Sequence, residues 1–218
     1  FVLPFIFIAL MAVKSKQEAA LMSFSLPAKV LLWDNLIEVI QARDYMLLTA
    51  YMNSILITVG SVALLVLFGA MIGYVLQRRP SLTSNIIYSF VLAGLMIPPA
   101  VVPTIWVLQS LGMFKTISGM VLIQVAYGLA FSVLLYRAFI ASIPRELDEA
   151  AIIDGAKPWQ IFFKVVFPLL KPVTLTNIVV QSVGIFNDFT NPLYYLPGKQ
   201  NVTVQLTLYN FQSQFQSQ

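Results

Sequence analysis

Four long stretches of this chain and one short stretch are almost wholly apolar, and the polar positions gather between them. The long runs are roughly 52–76, 84–108, 118–140 and 165–188, and the short one is FVLPFIFIALMAV at 1–13. About 20 mostly apolar residues let a helix cross a bilayer, and no strand-like alternation competes with that reading. The pattern predicts an all-α, multi-pass transmembrane helical bundle with five spans in view. The first run starts on Phe1 without a basic flank or a small-residue cleavage site. It is read as the tail of a spanning helix that starts upstream, not as a signal peptide. A polar loop at 14–48 holds SLP, Trp33, Asp34 and a mixed-charge run from Glu38 to Asp44, and is long enough for a short helix of its own. The other connections are short, except one of about 25 residues ahead of the last run. Residues 189–218 turn polar and close on NFQSQFQSQ, so a sixth span is expected outside this chain.

Composition sharpens the picture: 59% of residues are hydrophobic and 10% charged, too apolar for an ordinary soluble domain. Without cysteine or histidine the chain has no disulfide, no thiolate site, and neither the commonest general base nor the commonest metal ligand. No catalytic or metal-binding constellation is expected, and no phosphate-cradling G-x-x-x-x-G-K-[ST] loop occurs. A net charge of +4 is spread thinly between apolar segments, which suits juxtamembrane residues better than nucleic acid. One side of the membrane would hold Arg78, Arg79, Arg137, Arg145, Lys157, Lys164 and Lys171; the other Lys14, Lys16, Lys29, Arg43, Lys115 and Lys199. Four of the second set sit in the long loop, so charge density in short loops makes the first side cytoplasmic and the 14–48 loop extracytoplasmic.

The connection on that first side carries EAAIIDGAKPWQIFFKVVFPLLKP, 149–172. Pro144 suits the first turn of a helix, and Glu146, Asp148 and Glu149 put negative charge at its positive dipole end. Asp154-Gly155 is a stop, because glycine takes the left-handed conformation without steric penalty. Pro158 suits the first turn of a second helix, with Trp159, Phe162, Phe163, Val166 and Phe167 as an apolar stripe. Ala150, Ala151 and Ala156 offer a small-residue surface for close approach. The element is either a helix that docks in a partner's groove or an interfacial helix that merely reorients the chain between spans.

Residues 149–172 resemble the EAA loop of permease subunits of ATP-binding cassette (ABC) importers, in which Glu149, Ala150, Ala151, Asp154, Gly155, Ala156, Phe162, Pro168 and Pro172 occupy matching positions and Phe167 replaces the usual Leu. NSILITVGSVALL at 53–65, IPPAVVP at 97–103, RAFIASIPREL at 137–147 and FNDFTNPL at 186–193 look like the carbohydrate-uptake branch, especially its maltose-permease group. The resemblance implies a type I importer permease fold, with 1–13 a partial first span and 49–218 the transmembrane domain, its EAA loop at about 143–165. It implies that the loop's first helix lies in a cleft of an ATPase subunit. Glu149, Ala150, Ala151, Asp154, Gly155 and Ala156 would then form the ATPase-docking set, with Glu149 the acidic contact, Ala150 and Ala151 the close-packing face and Gly155 the turn. It further implies ATPase subunits that bind ATP and Mg, a second, different permease subunit, and an external solute-binding protein. This chain itself would hold no cofactor.

The same resemblance gives meaning to polar and helix-breaking residues inside the spans. Pro98, Pro99 and Pro103 each remove a backbone donor and should kink the third span, beside a pathway or as a packing feature only. Gln124 and Gln181 lie near mid-span, to bond a sugar hydroxyl or to tie helices together. Asn187 and Asp188 close the fifth span, at a cavity rim or as a helix cap. Trp106, Tyr127, Tyr194 and Tyr195 read mostly as interfacial belt residues. Asn201-Val-Thr fits the glycosylation triplet, which is common by chance, and no internal repeat is evident. The expected function is half of a sugar translocation pathway in the cell membrane. The competitors are import of a polyamine, amino acid or phosphate, and a membrane scaffold that recruits a cytosolic partner.

Overall fold

The computed structural model describes residues 2–198 and 201–215, and among these the chain is helical throughout, with no strand. Helices α1 (Leu3–Ala12) and α2 (Lys16–Ala20) precede α3 (Leu32–Arg78), and α4 (Leu82–Met96), α5 (Val101–Ser110) and α6 (Ile117–Ile140) follow. Then α7 (Glu146–Ile153) and α8 (Pro158–Gln160) lead through a π-helical turn at Ile161–Val166 into α9 (Phe167–Leu169) and α10 (Lys171–Phe186). Two more helices, α11 (Thr190–Tyr195) and α12 (Val204–Phe215), come after.

Two stretches are long and apolar enough to cross a membrane as single helices: Asp44–Arg78 within α3, and α6. They form the spine of the fold, joined along Gly-Ala-Met-Ile-Gly at 69–73, a small-xxx-small pattern that lets helices approach closely. A Cβ on Gly69 would meet the Ser132 Cβ at 2.8 Å, and one on Gly73 would lie 3.0 Å from the Arg137 backbone nitrogen. From the other side, a Cβ on Gly128 would meet the Leu65 Cδ1 at 2.8 Å. Helix α10 lies against both spine helices, and α12 packs on α3.

Two of the expected spans are differently built. The 84–108 run is two helices, α4 and α5, bent by 118° at the break. Pro98 and Pro99 remove two backbone donors there, and Ile97, constrained by the proline after it, is extended at φ −79° and ψ 120°. The expected kink is thus a fold-back. The 165–188 run is likewise divided, because the segment Pro158–Leu169 is an arm bent 76° from α10. Leu170, at ψ 1°, ends the arm, and Pro172 in the first turn of α10 restarts the helix. The described residues thus hold two unbroken helices, two bent pairs and the ten-residue α1.

The long polar loop is also more ordered than its sequence suggested. Its expected short helix is α2, closed by a Ser15–Glu18 capping box, and Lys14 is buried with its Nζ donating to the Ser23 carbonyl at 2.7 Å. The loop ends at Leu31 instead of at 48: from Leu32 the chain is already α3, which turns at Asp44 and Tyr45, whose φ of 56° and 59° is a left-handed step.

Candidate functional site

Helix α7 starts at Glu146, after Pro144 instead of on it, with Glu146, Asp148 and Glu149 in its first turn. Its end follows the expected stop. Gly155 has φ +79°, its N–H donates to the Ile152 carbonyl at 3.0 Å, and the Ala156 N–H reaches the Ala151 carbonyl at 2.9 Å. This Schellman closure satisfies carbonyls that the helix end would otherwise leave without an intrachain partner. The returning arm opens with Pro158 in its first turn and the Lys157 N–H donating to the Gln160 side chain at 2.8 Å. In the arm, the Phe162 ring packs against Tyr74, Phe163 and Phe167 with centroids 5.4, 4.9 and 5.8 Å away.

What fixes α7 to the spans is an ion pair that motif reading passed over. Arg78, at the end of α3, brings its Nε to 2.5 Å from Asp148 Oδ2, and the two side chains are only 8% and 12% exposed. The contact is ionic, since the Nε–H makes no hydrogen bond and Asp148 Oδ1 has no partner among the described residues. The same guanidinium donates to the Ile143 and Pro144 carbonyls at 3.0 and 3.3 Å, and Arg145 reaches back to the Gln77 carbonyl at 3.4 Å. Ala151, one turn from Asp148, joins an apolar cluster with Ala70, Tyr136, Ile140, Ile161, Phe162 and Val166. Asp148 and Ala151 therefore share the inward face of α7, an i, i+3 spacing the sequence displays.

Of the six residues named for docking, Glu149, Ala150, Asp154 and Gly155 are exposed, while Ala151 is buried and Ala156 half-buried against the chain's own core. The open surface is completed by large apolar groups, Ile152 at 61% and Ile153 at 86% exposure.

The residues singled out inside the spans fall into separate groups. Gln124 is buried and donates to Asp188 Oδ2 at 2.6 Å, while Asn191 donates to Asp188 through its backbone at 3.1 Å and its side chain at 2.7 Å. That cluster ties α6 to the loop between α10 and α11. Beside it the Tyr127 and Tyr195 hydroxyls are 3.1 Å apart, and burial, then the hydrogen bond to Tyr127, pushes the Tyr195 phenol up to about 12. Gln181 donates to the Gly128 carbonyl and the Ser132 hydroxyl, both at 3.3 Å, and Ser132 donates to the fully buried Asn177 at 3.2 Å. Asn187 donates to its own helix at Val183 and accepts from Gln205. Pro98 and Pro99 stand apart, exposed at the fold-back. Two more polar ties lay outside the sequence reading: Asn53 donates to the Val202 carbonyl at 3.0 Å, and the Ser54 hydroxyl accepts from the Val204 N–H at 3.0 Å.

Residues 65–217 match the family described as binding-protein-dependent transport system inner membrane component. The chain belongs to this family. The permease is 33% identical to the probable starch degradation products transport system permease protein AmyC of Thermoanaerobacterium thermosulfurigenes, over 99% of this chain and 78% of that protein. It is 35% identical to the melibiose/raffinose/stachyose import permease protein MelC of Bacillus subtilis, over 74% of this chain and 60% of that one. To the diacetylchitobiose uptake system permease protein NgcG of Streptomyces coelicolor it is 36% identical, over 66% of this chain and 48% of that one. The permease thus spans from about half to four fifths of the length of these curated relatives. Among solved structures it superimposes on a bacterial ABC transporter involved in the import of the acidic polysaccharide alginate, with a TM-score of 0.84 at 23% identity, over 96% of this chain and 73% of that one. That likeness establishes an importer permease fold. The family is a transport component and not an enzyme class.

Proposed function

We propose that this permease forms half of the translocation pathway of an ATP-driven importer for a neutral sugar or oligosaccharide, and that α7 is the lever through which ATPase subunits drive it. The observation that carries the proposal is the split character of α7. Asp148 and Ala151 bind it to the ends of α3 and α6, while Glu149, Ala150, Ile152 and Ile153 stand free on the opposite side. A helix tied rigidly on one face and bare on the other passes a push from a docked partner into the spans it is tied to. Sharing of the ion pair and the apolar cluster between α7, α3 and α6 makes these elements move together.

In this reading the motif side is cytoplasmic, ATP binds the closed ATPase dimer better than the open one, and that difference in affinity tilts the spans between outward- and inward-open states. ATP and Mg stay on the ATPase. A second, different permease subunit completes the pathway, and an external solute-binding protein delivers the solute. The relatives' names favour sugars. The charge pattern favours neutral ones: the segments 45–77, 82–110, 117–136 and 172–186 contain no lysine or arginine to meet an acidic substrate, and Asp188, the carboxylate beside Gln124, is already engaged by Gln124 and Asn191 and so is not free to meet a polyamine. Amides and hydroxyls such as Gln124, Gln181 and Asn187 are the groups available for sugar hydroxyls at the pathway, and Pro98 and Pro99 shape its wall.

The test is Glu149→Arg in the complete complex, reconstituted with its binding protein. We expect solute-stimulated ATP hydrolysis to be lost while membrane insertion and subunit expression are kept. Stimulation at the wild-type level would refute the docking role. Binding of a polyamine, amino acid or phosphate, and not a sugar, by the partner binding protein would refute the substrate class.

A further inference from the structure

A groove of about 740 Å³ opens between the end of α3 and the α7–α9 arm, away from the polar cluster at Asp188. Its rim carries three guanidiniums, from Arg78, Arg79 and Arg145, against the carboxylates of Asp148 and Glu149. Arg78 and Asp148 neutralise one another. Among the described residues no carboxylate lies within ion-pair distance of Arg79 or Arg145, both exposed, which leaves the rim with a net positive charge. The wall above the rim is apolar. Met71 and Val75 of α3 and Phe163 of the arm are 39%, 49% and 43% exposed, and Trp159 at 57% stands at the mouth. Met71 precedes Arg78 by two helical turns, so the wall reaches about 10 Å from the charged rim into the apolar span.

We propose that this groove binds an anionic phospholipid of the cytoplasmic leaflet. Its phosphate lies between Arg79 and Arg145, and one acyl chain lies along Met71, Val75 and Phe163. A basic rim, a tryptophan at headgroup level and an apolar wall running into the membrane match the three zones of a lipid in depth order. A soluble anion has no use for the wall, and a cytosolic protein reaches only the rim. Because Ala156, just past the end of α7, lines the same groove, the bound lipid lies against the base of the lever and couples its motion to the charge of the surrounding membrane. The proposal rests on the cytoplasmic placement of the motif in the reading above.

The experiment uses the complete complex in nanodiscs, without solute or nucleotide, so its result does not depend on whether Glu149→Arg uncouples transport. Phosphatidylglycerol and phosphatidylcholine carrying the same photoactivatable acyl chain are compared, and the labelled peptides are mapped. A guanidinium near an anionic surface contributes about fivefold in affinity, so two predict roughly twenty-five-fold stronger labelling of 71–75 and 159–163 by phosphatidylglycerol. Arg79→Gln with Arg145→Gln should bring that labelling down to the phosphatidylcholine level. Should the double variant fail to assemble, raised salt on the wild-type complex should remove the same headgroup preference. Equal labelling by both lipids would overturn the proposal. So would absence of labelling by either, which means that a protein surface covers the groove, or loss of labelling in excess inorganic phosphate, which means a soluble anion site.

Discussion

Removing the Arg78 side chain as Arg78→Ala leaves the Asp148 carboxylate in place, 12% exposed and without its counter-charge. Breaking a buried ion pair by removing one partner costs about 3–5 kcal/mol, since the remaining charge stays desolvated. Here the lower end applies, because the pair makes no aligned hydrogen bond through Nε and Asp148 Oδ1 is already unsatisfied. The lost donations to the Ile143 and Pro144 carbonyls act on the same hinge, just ahead of α7. About 3 kcal/mol corresponds to roughly two decades in the opening equilibrium of α7. Hydrogen exchange reads that directly: the amides of residues 150–156 should exchange about a hundredfold faster in Arg78→Ala, while those of α6 stay protected. The double variant Arg78→Met with Asp148→Leu removes both charges and fills the space with apolar groups, so protection should largely return. If α7 exchanges at the wild-type rate in Arg78→Ala, or if the double variant opens further than either single one, the ion pair is not what holds α7 in place.

Other outcomes follow from single contacts. Gly155→Val forces a β-branched residue into φ +79° with open space around it, so the cost, about 1–2 kcal/mol, is backbone strain; solute-stimulated ATPase activity should fall with membrane insertion intact. Gly73→Val drives a side chain into the Arg137 backbone and should lower stability by about 1–3 kcal/mol, read as a reduced unfolding midpoint in detergent, with a larger effect than the same change at the uncrowded Gly184. Gln124→Leu takes the 2.6 Å donor from Asp188 and should cost about 1–3 kcal/mol; Asp188→Asn added to it should recover part of that loss, measured by the same unfolding assay.

The helical class and the α7 stop at Gly155 were legible because each rests on local chemistry: apolar run length, turn residues, and a glycine where φ is positive. The angles between elements were not. Pro98-Pro99 announces a break, yet the 118° fold-back depends on what α4 and α5 pack against, which no local rule supplies. Asp148 illustrates the same divide within α7. Its charge was read as complementing the helix dipole, whereas its inward position beside Ala151 was present in the helical spacing and needed only a basic partner 70 residues earlier. The Gly-Ala-Met-Ile-Gly seam was also written in plain form, but was masked by the uniform hydrophobicity of α3 around it.

The hydrogen bonds from Asn53 to Val202 and from Val204 to Ser54 span 149 and 150 positions of sequence. When a ribosome has delivered α3 to the membrane, its amide and hydroxyl still lack the groups that satisfy them. They must be tended by water, lipid headgroups or an insertion factor until residues 202–204 emerge. The order of synthesis thus leaves the top of the spine unfinished until α12 begins to arrive. Apolar replacements at Asn53 or Ser54 remove that interim cost, so their defect should appear only late, as a looser hold of α12 on the finished spine.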